Sequence, residues 1–362
     1  MKRISLIILI TLLGLSAGAA RAQVQGKLSV GTGYLEHPVG IMTETDALYT
    51  YQNLNLASRL AGLGGSLKLG YEGQASQFGS DTQLGSQRHG LGAEYYHLSR
   101  SRMLGWSAGV QGAIRRQKEW YEAYDQDEIF AYAAFKRYTG GNMLWKGFAG
   151  YRIRQYGALP EENSREPHAQ FEVLRFSPTQ TSLGLRLSYG YKEYHDESAP
   201  SVWGTSTTPS TSQLAARLSF SKSLSERAGL RAWAESRWKL EEFPHVIADD
   251  FYDSPILDRY ANEGYDLYTA LKVLAPYQWW VETGAAYGVH DYGEIVFPSE
   301  SGAGINREDT LTELHLSLQR SLGAALRGAR LNILGGWRNQ DSTHVWYDYS
   351  GVFFSSNLGW KF

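Results

Sequence analysis

Arginine and lysine fall repeatedly on one alternate row of strand-like segments, and this is where the chain has most chemistry to offer. Arg115, Arg152, Arg154, Arg186, Arg217, Arg231 and Arg237 share such rows with Arg59, Lys68, Arg88, Lys146, Lys192, Lys239, Lys272, Arg330 and Arg338. Residues two apart on an extended strand lie on one face, so these rows would form a cationic wall able to attract anions. Glu72, Glu94, Glu172, Glu235, Asp266, Glu282 and Glu313 fall on the same rows, at about one acid for two bases. The 9 histidines are the other candidates. His97 and Ser99 have the same-face spacing of a hydroxyl nucleophile and its base. Glu193, His195 and Glu197 have the spacing of a general-base pair, but with Asp196 they sit in a segment already rich in acids. His290 beside Asp291, and His344 near Asp348, offer no better geometry. The chain has no Gly-rich phosphate loop, zinc signature or Gly-x-Ser-x-Gly elbow. No catalytic residue and no specific metal site is assigned, and the expectation is a non-enzyme.

The elements that would position these rows are strands alternating between apolar and polar residues. Leu183, Leu185, Leu187, Tyr189 and Tyr191 alternate with Ser182, Gly184, Arg186, Ser188 and Gly190. Leu104, Trp106, Ala108, Val110 and Ile114 alternate with Gly105, Ser107, Gly109, Gln111 and Arg115, and Leu314, Leu316 and Leu318 with Glu313, His315, Ser317 and Gln319. Period two predicts strands with one apolar face. Candidates lie at 26–35, 48–60, 64–75, 86–98, 104–116, 128–138, 144–156, 168–176, 181–193, 212–222, 228–240, 264–274, 279–290, 310–320, 328–338 and 350–362. That is about 16, with 14–18 as the range. A soluble β-sandwich yields the same alternation with its apolar row on a shared core, whereas a closed sheet turns that row to lipid and the polar row to water inside.

Both ends of the chain agree. Lys2 and Arg3 precede an apolar run from Ile4 to Leu15, and Ala20-Arg21-Ala22 has the pattern of a signal-peptidase site. Residues 1–22 read as a signal peptide cleaved before Gln23, and 23–362 as one domain. There is no cysteine for lipid attachment or a disulfide. At the other end, Phe354, Leu358, Trp360 and the terminal Phe362, with Gly359 between, form an alternating strand closing on an aromatic residue. This ending resembles the assembly signal of bacterial outer-membrane β-barrel proteins, and the chain is porin-like in size and layout. The resemblance implies an all-β, up-and-down transmembrane barrel in the outer membrane. Its implied partners are membrane lipid, lipopolysaccharide and the barrel-assembly machinery, with a homo-trimer as one further state. A mean hydropathy of −0.37 is no objection, because only alternate residues face lipid.

Connections alternate in length. Short ones fall near Ala61–Gly64, Ser99–Met103, Thr139–Met143, Ser177–Gln180, Lys222–Arg227, Ala275–Gln278 and Ser321–Arg327. Long ones fall at Glu36–Ala47, Gln117–Asp127, Gly157–Pro167, Tyr194–Thr211, Glu241–Glu263 and Asp291–Asp309. Short turns belong in the periplasm and long loops outside. Most of the 37 acids then fall in outer loops, including Glu241, Glu242, Asp249, Asp250, Asp253, Asp258 and Glu263 in one, and Glu119, Glu122, Asp125, Asp127 and Glu128 in another. Such carboxylates suit surface Ca²⁺ or Mg²⁺, but no cofactor is expected.

An acidic exterior argues against nucleic acid, which needs an accessible basic surface. Omptin-like proteases resemble the chain in size class but pair acids and His at the outer rim. Outer-membrane phospholipase has a His and Ser on one strand face, whereas His97 and Ser99 fall at the periplasmic end. The first functional expectation is passive passage of small, anionic solutes through a basic lumen, with 117–127 as a segment that could fold inward. The alternatives are an export barrel for an anionic polysaccharide and a non-conducting structural or adhesion barrel.

Overall fold

The computed structural model describes residues 23–35, 47–62, 64–79, 85–160, 163–194, 210–241, 262–296, 304–323, 328–343 and 348–362. The proposed signal peptide, the Glu193–Glu197 motif beyond Tyr194, His344 and the acidic loop after Glu241 lie outside them.

The described strands are β1 (Gln23–Leu35), β2 (Ala47–Gly62), β3 (Gly65–Phe78), β4 (Gly85–Leu98), β5 (Leu104–Gln117), β6 (Gln126–Thr139), β7 (Met143–Tyr156) and β8 (Ser164–Ser177). They continue with β9 (Thr181–Tyr194), β10 (Ser210–Ser225), β11 (Ala228–Glu241), β12 (Glu263–Ala275), β13 (Trp279–Val296), β14 (Gly304–Ser321), β15 (Arg330–Ser342) and β16 (Tyr349–Lys361). Each pairs antiparallel with its sequence neighbours, and β1 pairs with β16 from Lys27↔Lys361 to Leu35↔Phe353. The result is a closed barrel of 16 strands. Closure leaves no sheet edge, so backbone groups are satisfied without water, the condition for crossing hydrocarbon.

The large apolar residues of the alternating rows are exposed. Leu218 is 63% accessible, Leu183 55%, Leu314 53% and Val110 51%. Leu185, Leu218, Ala234, Leu267 and Tyr287 stand opposite one another across successive strands, so the row continues around the wall. A water-facing surface of this kind would be unstable, whereas a lipid-facing one is required. Trp106, Trp145 and Trp360 sit toward the short-turn end of this face, and Tyr189, Trp238, Tyr265 and Trp337 toward the other. These are the places for rings with one wet edge.

The short connections turn on left-handed residues: Gly64 (φ 74°), Arg102 (57°), Asn142 (61°), Gln180 (56°) and Tyr277 (59°). Both described termini lie at this end. The strands run further toward the opposite end than apolar alternation predicts. β8 begins at Ser164 rather than 168, and β13 and β14 pair out to Val296↔Gly304. Much of the Asp291–Asp309 loop expected from sequence is therefore a protruding hairpin. Backbone pairing needs no lipid, so it continues after the apolar row has ended.

Candidate functional site

The second row of every strand points into the barrel, and its charged side chains form connected networks. Glu128 on β6 is approached by Arg88 (3.6 Å), Arg152 (3.4 Å) and Arg154 (3.4 Å). Glu166 on β8 takes the same two β7 arginines at 3.3 and 3.9 Å. Glu172 holds Lys146 at 2.8 Å and Arg186 at 3.1 Å. On the β10–β13 wall, Glu235 accepts from Arg217 (2.6 Å) and Arg237 (2.8 Å), and Arg237 also reaches Asp266 (2.7 Å). Arg231 reaches Glu282 at 2.5 Å, and Arg338 reaches Glu313 at 2.5 Å. Near the outer end, Arg307 pairs with the buried Asp309, which also accepts from Gln340 and Ser342.

The register explains why these pairs form. Arg217 stands directly opposite Glu235, Arg152 opposite Glu166, and Lys146 and Arg186 flank Glu172 from two sides. Cross-strand neighbours on one face are close enough for opposite charges to bond.

Of the arginines singled out from sequence, Arg152, Arg154, Arg186, Arg217, Arg231 and Arg237 join this wall through the carboxylates just named. Arg115 stands between Arg88 and Gln126 in register. The C-terminal residues form the last strand. Phe354 stands between Tyr34 and Gly335, Leu358 between Val30 and Leu331, Gly359 opposite Ser29 and Trp360 opposite Leu28. Phe362 exchanges two backbone hydrogen bonds with Gly26 (2.6 and 3.0 Å).

Aromatic residues inside the barrel were not anticipated. Phe130, Tyr132, Phe148 and His168 stack together, with Phe130 and His168 centroids 5.5 Å apart and 9° from parallel. Arg152 lies over Phe130 at 5.1 Å. A second group joins Trp233, Tyr268 and His315, with Arg217 over Trp233 at 4.2 Å and Arg231 over Tyr268 at 5.3 Å. A ring beneath a guanidinium attracts it and fixes its plane. The available signal was Ile129–Phe135, where both rows are apolar. Lys27 and Lys361 were also left out of the cationic row, although their parity places them there.

The histidine motifs do not converge on a nucleophile. His97 Nδ1 bonds the Gly64 carbonyl (2.7 Å), while the Ser99 hydroxyl bonds Ser101 (3.1 Å) and the Leu104 amide (3.1 Å). His290 pairs with Asp266 (3.0 Å) rather than with neighbouring Asp291. No group of three or more His, Asp or Glu among the described residues is placed to hold a metal ion. In the 117–127 segment, Asp125 accepts from the Gln117 amide (2.6 Å) and Arg116 reaches Asp127 (2.8 Å). Those bonds tie the segment to its own strand ends.

No family model matches the sequence, and no curated protein matches it either. Solved structures do. Pseudomonas aeruginosa OccK2 (OpdF) in complex with glucuronate matches with a TM-score of 0.51 and 11% identity, covering 94% of this chain and 97% of that one. CdiB from Acinetobacter baumannii matches with a TM-score of 0.58 and 11% identity over 93% of this chain and 60% of that one. A bacterial polysaccharide outer membrane secretin matches with a TM-score of 0.53 and 12% identity over 93% and 98%. At such identities the likeness is one of fold, and it agrees with the closed sheet and its apolar exterior. The chain folds as an outer-membrane β-barrel, porin-like in size and layout.

Proposed function

We propose that the protein is an outer-membrane channel for passive passage of small solutes, with anions favoured. One observation carries the preference: along the inward rows, basic residues outnumber carboxylates by about two to one, more than the ion pairs use up. Glu128 serves three arginines, and Glu166, Glu172 and Glu235 serve two cations each. The pairing is reciprocal, since Arg152 and Arg154 each reach both Glu128 and Glu166, so the net positive charge comes from lumenal bases beyond these pairs, Lys27, Arg59, Lys68 and Lys361 among them. In a water-filled bore that field concentrates anions. OccK2, which this chain resembles in fold, has been solved with glucuronate, a sugar acid of the class such a wall suits.

The same wall would also suit an export barrel for an anionic polysaccharide, a reading supported by the fold likeness to the polysaccharide secretin. The test is the folded chain in a planar bilayer under a KCl gradient. The expected reversal potential has the sign of chloride selectivity. Cation selectivity would overturn the anionic reading, and absence of conductance would overturn the channel. Conductance with a polysaccharide passing faster than monosaccharide acids would favour export.

A further inference from the structure

We infer that the inner end of the lumen holds a binding site for solutes carrying two or more negative charges, formed by Lys27, Arg59, Lys68 and Lys361. The site deepens the anion-channel reading and rests on it only for how a solute arrives.

The register carries the argument. Lys27 on β1 stands directly opposite Lys361 on β16, and Arg59 on β2 directly opposite Lys68 on β3. Like charges facing each other across a strand pair destabilise a sheet, yet this happens twice on four adjoining strands. All four side chains are exposed, and all four line one cavity of about 820 Å³. Among the described residues, no carboxylate lies within ion-pair distance of any of them. Glu72 and Glu94 border the same cavity, but Glu72 is held by Arg88 at 3.0 Å and Gln74 at 3.3 Å. Glu94 stands opposite Lys68, but its carboxylate accepts from the Tyr132 hydroxyl.

The contrast with the rest of the wall is informative. Cations also face one another elsewhere, as Arg88 does Arg115 and Arg186 does Arg217, but there Arg88, Arg186 and Arg217 are bonded by carboxylates; here the four cations border an open volume with none in reach. The two pairs are offset by four residues along β1 and β2, about 13 Å of backbone, which flexible lysine and arginine side chains shorten. A single monovalent ion engages one pair. A longer anion with separated charges engages both, and it removes the repulsion that the empty site bears.

Titration of the detergent-folded full chain with inorganic pyrophosphate, followed by calorimetry, tests the site without requiring conductance. Saturable binding is expected, with chloride competing only weakly. Lys27→Gln/Lys361→Gln and Arg59→Gln/Lys68→Gln should each weaken it at least tenfold. The second pair lies away from the C-terminal strand, so an assembly defect in the first leaves the test intact. Without pyrophosphate the variants should resist urea at least as well as the natural chain, and pyrophosphate should stabilise only the natural chain. Absence of binding, or unchanged affinity in both variants, overturns the site. Pyrophosphate binding to a barrel that does not conduct would leave the site standing and remove the channel. Anion conductance without pyrophosphate binding would do the reverse.

Discussion

Substituting lysine at Leu218 and, separately, at the adjacent Ser219 tests the assignment of inside and outside on which the functional reading rests. Leu218 is 63% accessible and lies near the centre of β10, which spans Ser210–Ser225. At about 3.3 Å per residue, it is within about 4 Å of the middle of the strand, and hence near the bilayer midplane. Leu185 and Ala234 stand opposite it, so a lysine there finds no carboxylate. A cation on the lipid face at that depth costs about 2–4 kcal/mol. Ser219 faces the interior between Gly184 and Trp233, with no charge directly opposite. Lysine there reaches lumenal water and should cost less than about 1 kcal/mol. Urea unfolding of the barrel in lipid vesicles, extrapolated linearly, measures both. Equal costs would refute a one-sided wall, and a larger cost at Ser219 would mean that the rows are inverted.

Glu235→Gln should strengthen anion preference, because it removes the carboxylate that accepts from both Arg217 and Arg237. One charge about 5 Å from a passing ion in water is worth about 0.8 kcal/mol. Screening at 0.1 M salt leaves about 0.5 kcal/mol, favourable for chloride and unfavourable for potassium, or about fivefold in the chloride-to-potassium permeability ratio. The reversal potential reads it, and a shift toward potassium would show that the arginines do not face the conduction path. The lost charge-assisted bonds should also lower unfolding free energy by about 1–3 kcal/mol. Gly264→Ala should cost at least about 2 kcal/mol in denaturant unfolding, because Gly264 has φ 143° and an added Cβ would clash with the Val289 carbonyl oxygen. Gly112→Ala, where the nearest atom is 3.9 Å away, should cost less than about 1 kcal/mol. Equal effects would show that the β12–β13 contact yields.

Alternation alone locates the strands because lipid imposes period two on every crossing. It places their outer ends poorly, since the hydrocarbon stops before the sheet does. At Ser164-Arg165-Glu166-Pro167 no apolar row remains, yet Ser164 still pairs with Arg154 and with Tyr194. Parity also assigns the arginines to a face but not to partners. Arg217 and Glu235 are neighbours across one hairpin, so the turn at Glu226–Arg227 brings them together in a way that register could have predicted. Arg231 and Glu282 meet from strands β11 and β13 across β12, and nothing local in the sequence links them. The lumenal rings were hidden for a different reason. In Ile129–Phe135 both rows are apolar, so periodicity cannot tell Phe130 and Tyr132, which face inward, from Ile129 and Phe135, which face lipid.

These rings bear on how a wall of ion pairs can still act on a solute. A guanidinium fully engaged by carboxylates has little field left for a passing anion, whereas an unrestrained one would fold back against the wall. Arg217 is bonded to Glu235 along one edge and lies over the Trp233 ring. Arg231 is bonded to Glu282 and the Tyr268 hydroxyl and lies over the Tyr268 ring. Edge and face are thus fixed by different partners. Arg231 remains 53% accessible on its side chain and Arg217 28%, so both still meet lumenal water. Pairing and selectivity are therefore not alternatives here: the carboxylates and rings hold the paired cations in place, and the excess of bases along the inward rows leaves the field.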